Sequence, residues 1–209
     1  MRKTSLALVA ACLFAGPLAA HAVPFSFECI TNNKAADCAI GESQFVLDVV
    51  DGGSTTNFTF RNVGPAASSI ADIYFAWPKD AAVVLAQETI TSSAGVSFSW
   101  GASPANVPGG NTIGFTANIG ADSNPPAQPN GVNPNEWVTF TFSKSFTDVL
   151  DALLSGTLSV ALHAQGFAGG GSESFILVPP PGTSVPEPGT LALLGLGLIG
   201  LGLGRRRKV

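Results

Sequence analysis

The chain has 209 residues, only 11% of them charged, and ten Lys and Arg against fourteen Asp and Glu leave a net charge of −4. That length suits one ordinary domain with short appended segments. The acidic balance would repel a phosphate backbone, so nucleic acid is excluded as an expected partner.

The first segment reads as a leader. Arg2 and Lys3 form a basic start, residues 6–18 form an apolar run too short to span a bilayer comfortably, and Ala20-His21-Ala22 is a small-x-small cleavage site. Residues 1–22 are therefore expected to be a signal peptide, cut by signal peptidase between Ala22 and Val23.

Residues 23–184 remain as a single domain whose charge differs from that of the whole chain. Lys34, Arg61, Lys79 and Lys144 face thirteen carboxylates, a net charge of −9, because most of the cations sit in the two ends. Cys12 leaves with the leader, so Cys29 and Cys38 are the cysteines of the exported domain. The polar, turn-prone ITNNKAAD between them can bring the two β-carbons together, and disulfides persist outside the cytoplasm. A Cys29–Cys38 bond is predicted. Two thiols and one distant histidine do not complete a tetrahedral zinc site, so no metal is assigned.

Apolar residues then recur with period two on short segments separated by turn residues. The alternation runs through Phe45, Leu47 and Val49; Phe58 and Phe60; Ile73, Phe75 and Trp77; Val96, Phe98 and Trp100; Val138, Phe140 and Phe142; and Leu158, Val160 and Leu162. A last strand covers residues 175–178. So many one-sided strands call for two sheets over one core, so the fold class is all-β, an antiparallel β-sandwich or jelly roll. One short helix interrupts it: Thr147 caps DVLDALLSG, Leu150, Leu153 and Leu154 share a face, and Gly156 ends it.

Candidate chemistry within the domain is sparse. His163 is the histidine available to a general base, and Ser172 or Ser174 in the following GGGSESF would be the nucleophile of a hydrolase. No Gly-x-Ser-x-Gly elbow accompanies them, and the stretch also reads as a flexible hairpin connection. Asp148 and Asp151 suit the positive end of a helix, Asp48 and Asp51 suit a turn, and neither pair has the spacing of a calcium loop. Structural calcium is kept as a secondary expectation, and no other cofactor is expected. Residues 122–135 form an Asn- and Pro-rich loop beside Trp137, a candidate sugar-stacking platform. Asn57-Phe58-Thr59 matches a glycosylation acceptor but is better used as strand.

The tail, residues 185–209, is a third unit. Val185-Pro186-Glu187-Pro188 stops any helix continuing from the domain, an apolar run of LALLGLGLIGLGLG follows, and Arg205, Arg206, Arg207 and Lys208 form a basic stop that stays cytoplasmic. The run covers about two-thirds of a hydrocarbon core of roughly 30 Å, enough for a transient anchor and marginal for a lasting one. Gly195, Gly197 and Gly200 mimic a dinucleotide fingerprint but follow no strand.

This order of motif, short apolar helix and Arg-rich end resembles the PEP-CTERM sorting segment of exported proteins in Gram-negative bacteria. The resemblance implies recognition by an exosortase, cleavage near Pro-Glu-Pro, and delivery to the cell surface or extracellular polymer matrix. LSVALHAQGFAGGGSESF and GVSFSWGASPANVPGGN also resemble segments of domains that carry such tails, without implying an activity. The expected function is that of a noncatalytic surface or extracellular-matrix protein associated with exopolysaccharide. The alternative is an exported hydrolase acting on surface glycan or ester substrates.

Overall fold

The computed structural model describes residues 22–180. The leader through His21 lies outside the described residues, as does the tail with Val185, Pro186, Glu187, Pro188, its apolar helix and Arg205, Arg206, Arg207 and Lys208. Ala22 and Val23 are the first residues of β1 (Ala22–Cys29), paired with Val50 and Val49.

Two antiparallel layers face each other, as the one-sided strands require. One layer holds β2 (Phe45–Asp51), β3 (Thr56–Asn62), β8 (Trp137–Phe142) and the short edge strand β5 (Thr89–Ser92). The other holds β10 (Ser172–Val178), β9 (Ser159–Gln165), β4 (Ser69–Ala76), β7 (Ile119–Ser123) and the edge strand β6 (Phe98–Trp100). The layers are one continuous sheet, which the sequence did not announce. Strand β1 belongs to both: residues 22–25 pair with β2, and residues 26–29 pair with β10.

Phe75 of β4 is fully buried at the centre of the core. Its ring lies 5.7 Å from Phe58, 6.1 Å from Phe60, 5.7 Å from Phe140 and 5.4 Å from Phe142, all edge-on. Those four rings come from alternate positions of β3 and β8, so the period-two pattern translates directly into one aromatic cluster. Edge-to-face pairs of this kind add to the burial of apolar area that drives collapse.

Helices close both ends of the sandwich. At one end α1 (Ala35–Gln44) turns Asp37, Cys38, Gly41 and Gln44 inward. A β-carbon at Gly41 would run into the Phe175 ring, so only glycine permits this approach. The segment was expected to open as a turn, because its small and polar residues make a weak helical pattern. At the other end α3 (Phe146–Leu154) buries Val149, Leu150, Ala152 and Leu153. Its cap is Ser145, whose hydroxyl accepts from the Asp148 N–H at 3.5 Å, rather than the expected Thr147. The helix starts earlier because Phe146 packs against the core. Gly156, at φ +74°, follows its last turn in the left-handed conformation expected of a stop.

Candidate functional site

The row of polar side chains that crosses the β6–β10 layer is the strongest assembly of titratable groups. Cross-strand register places Ser99 opposite Asp122, Asp122 opposite Asp72, Asp72 opposite His163, and His163 opposite Ser174. All five point away from the aromatic core. The neighbouring part of that outer face, around Tyr74 and Ala161, is covered by Val107 and Phe115 of the long connection between β6 and β7. Asp72 is buried although it lies on the outer face.

His163 Nδ1 lies 2.8 Å from Asp72 Oδ2. A carboxylate accepts, so Nδ1 is the donor of this hydrogen bond. Asp122 hydrogen-bonds the other side of Asp72, and its carboxyl is pushed up to about 6, first by burial, then by that hydrogen bond and by the Asp72 charge. Backbone N–H groups of Ser103 and Ser123 oppose the rise. Tyr74 is also pushed up, by burial and then by the charges of Asp72 and Asp122, so it stays protonated and donates to the Pro104 carbonyl at 3.0 Å.

A raised carboxyl has a definite linkage sign. From about 3.8 to about 6 the folded chain holds a proton at Asp122 that the unfolded chain has released. The stability this contributes is complete below that window and lost as pH rises through about 6. Asp122→Asn keeps a donor toward Asp72 and carries no charge at any pH. Relative to the parent, its melting temperature is expected to rise between pH 4.5 and pH 7.5; an unchanged difference across that range would disprove the assignment.

Of the two proposed nucleophiles, Ser172 pairs with Gln165 at the start of β10, whereas Ser174 sits beside His163. The row thus runs acid, histidine, serine. Yet Ser174 is completely buried, and its hydroxyl has no hydrogen-bond partner among the described residues. Its own backbone N–H is taken by Thr31 Oγ1 at 2.9 Å, and its carbonyl by the Ile30 N–H at 2.8 Å. No hydrogen bond links nucleophile to base, and a buried Oγ offers no approach to an incoming carbonyl carbon.

A second buried acid, Glu173, has a different role. Its Oε1 accepts from the Lys34 N–H at 2.7 Å, and its Oε2 from the Asn33 N–H at 3.0 Å and the Thr31 hydroxyl at 2.6 Å. These donors belong to the chain entering α1. Next to them Cys29 and Cys38 are bonded as predicted, with Cα atoms 5.4 Å apart. Cys29, Cys38 and Glu173 form the group of three metal-type ligands found among the described residues. Its two sulfurs are bonded to each other, so it does not fit a metal.

Asp48 pairs with Arg61 at 2.9 Å on the outer face of the other layer, and Asp51 turns back to accept from the Gly53 N–H at 2.8 Å. Asp148 and Asp151 both lie on α3, and Asp80 comes up beside them at one cleft. The Asn- and Pro-rich loop is tightly held: Val132 exchanges backbone hydrogen bonds with Ile70, and α2 (Ala127–Asn130) forms within the loop. Trp137 is half-buried on β8, next to Arg61. Sequence reasoning missed Asp72, Asp122 and Glu173. A signal existed only for Asp72, polar in an apolar alternation.

Residues 184–208 match the PEP-CTERM protein-sorting motif. The chain carries a PEP-CTERM tail. The motif is that of an exosortase substrate and implies export with transient membrane anchoring before sorting. No curated protein and no solved structure matches the chain. Export, which the motif implies, takes the domain out of the reducing cytoplasm into surroundings where a Cys29–Cys38 bond persists. Replacing both cysteines by alanine is expected to cost about 2–3 kcal/mol, the entropy of a loop of roughly ten residues. Chemical denaturation of the double variant, and of the parent with and without reductant, reads this. A loss under about 0.5 kcal/mol would mean that the bond restrains nothing the fold does not already hold.

Proposed function

We propose that the β-sandwich is a noncatalytic module that resides at the cell surface or in the extracellular matrix and associates with exopolysaccharide. Signal peptidase removes the leader after Ala22, and an exosortase cuts near Pro186-Glu187-Pro188 while the apolar run and Arg205, Arg206, Arg207 and Lys208 hold the chain in the membrane. The observation that carries this reading is the sorting motif at residues 184–208 behind a domain whose one histidine faces a sealed serine. Fractionation of producing cells, with mass spectrometry of both mature ends, tests it. The expected result is a chain beginning at Val23 and ending near residue 188, retained with cell-surface polymer. A chain that stays in the inner membrane with its tail intact would overturn it.

The Asp72–His163 hydrogen bond favours a second reading, an exported hydrolase of glycan or ester substrates using Ser174 or Ser172. An activated serine would be labelled by a fluorophosphonate in the exported protein and lose that label in His163→Ala. Absence of labelling removes this alternative.

A further inference from the structure

At the α3 end of the sandwich two clefts adjoin. The first, about 470 Å³, is lined by Trp77, Pro78, Phe115, Thr116, Gly156 and Thr157 among others. Trp77 is half-buried, packed against the core on one side. Neither its indole N–H nor the Thr116 hydroxyl makes a hydrogen bond among the described residues. Gly114 and Gly156 both hold positive φ, with open space where a β-carbon would stand, so the walls stay low around the ring. An aromatic plane with an unpaired N–H, flanking hydroxyls and low walls suits a sugar ring: the apolar sugar face stacks, and its hydroxyls find the polar rim.

The second cleft, about 660 Å³, shares Pro78 and Thr157 with the first and is lined by Asp80, Asp148 and Asp151. All three acids are exposed, and none forms a salt bridge among the described residues. Lys79, next to Asp80 in the chain, does not line the cleft. A glycan strand that stacks on Trp77 and runs on over Pro78 meets negative charge. A neutral chain gains nothing from it, a uronic-acid chain is repelled, and an ammonium group is attracted both by the carboxylates and by the π face of the indole.

We propose that this Trp77 groove binds a glycan whose sugars carry free amino groups, a hexosamine chain lacking some of its N-acetyl groups. The proposal rests on the glycan-associating reading above and names the glycan class. Trp77 provides the stacking plane, and Asp80 and Asp151 select the charge.

The test is titration of the exported protein with a glucosamine hexamer, its N-acetylated counterpart and a glucose hexamer, at low and high salt. The glucosamine hexamer is expected to bind at least tenfold more tightly than the other two at low salt, with the advantage shrinking as salt rises. Trp77→Ala should weaken all binding by about tenfold. Because Trp77 also packs against the core, the exposed pair Asp80→Asn and Asp151→Asn is the second arm; it should leave folding intact and abolish the preference for the amine. Equal affinity for all three hexamers, a preference that survives the double substitution, or competition by calcium alone for an otherwise sugar-blind site would each overturn the proposal. Failure here with retention in cell-surface polymer intact leaves the broader reading standing, whereas loss of that retention removes the reading itself.

Discussion

Phe75→Ala is expected to destabilise the domain by about 3–5 kcal/mol, a large fraction of the roughly 5–15 kcal/mol that holds an ordinary domain folded. Phe75 is fully buried, and four phenylalanines from the opposite layer meet its edges and faces, while Trp100 approaches at 6.4 Å from its own layer. Removing the ring leaves a cavity between two sheets whose backbones are locked by ladders, so the site cannot collapse to fill it. Phe75→Leu, which keeps much of the volume, should cost about 1–2 kcal/mol. Urea denaturation of both variants reads the difference. If alanine cost no more than leucine, the layers would have to be free to close, contrary to the packing described.

Glu173→Ala is expected to cost about 3–5 kcal/mol, for an electrostatic reason. Glu173 is 1% exposed, and its carboxylate is the acceptor for two backbone N–H groups and one hydroxyl where the chain enters α1. Truncation leaves those donors desolvated and without a partner, which costs more than the hydrogen bonds contributed in net terms. Glu173→Gln keeps one carbonyl oxygen but turns an NH₂ toward the donors, so it should recover only part of the loss. Thermal melts order the three proteins as parent, Gln, Ala; a Gln variant as stable as the parent would show that charge plays no part in the cap.

Both residues illustrate what pattern reading reaches and where it ends. Strands β2, β3 and β8 were legible because outward polar residues alternate with inward apolar ones: Asp48 against Leu47 and Val49, Thr59 and Asn57 against Phe58, Thr139 and Thr141 against Phe140. Strand β4 was also found by its alternation, but alternation does not tell that its outer face is covered: every residue of the strand is buried. The covering segment is a loop more than twenty residues downstream, without a periodicity of its own. Strands β5 and β7 escaped because four and five residues with few apolar side chains leave no alternation to count.

The candidate site divides in the same way. The Cys29–Cys38 bond could be predicted, since two cysteines remain once the leader is set aside and nine positions separate them. The Asp72–His163 pair could not, because ninety-one positions separate its members and a register shift between Ile70 and Asp72 decides which residue of β4 faces His163. A slip of one residue would have turned the acid into the core.

By itself, then, the amino-acid sequence determined the sorting motif, the acidic all-β character and the disulfide, because each depends on local order or on composition. Tertiary structure alone decided that the two layers join through β1, that Glu173 holds the chain entering α1, that Ser174 is sealed beside His163, and that the cleft lined by Trp77 adjoins one lined by carboxylates. Those arrangements depend on strand register and on which loop covers which face, quantities set by the free energy of the whole packed chain and not by any short stretch of it.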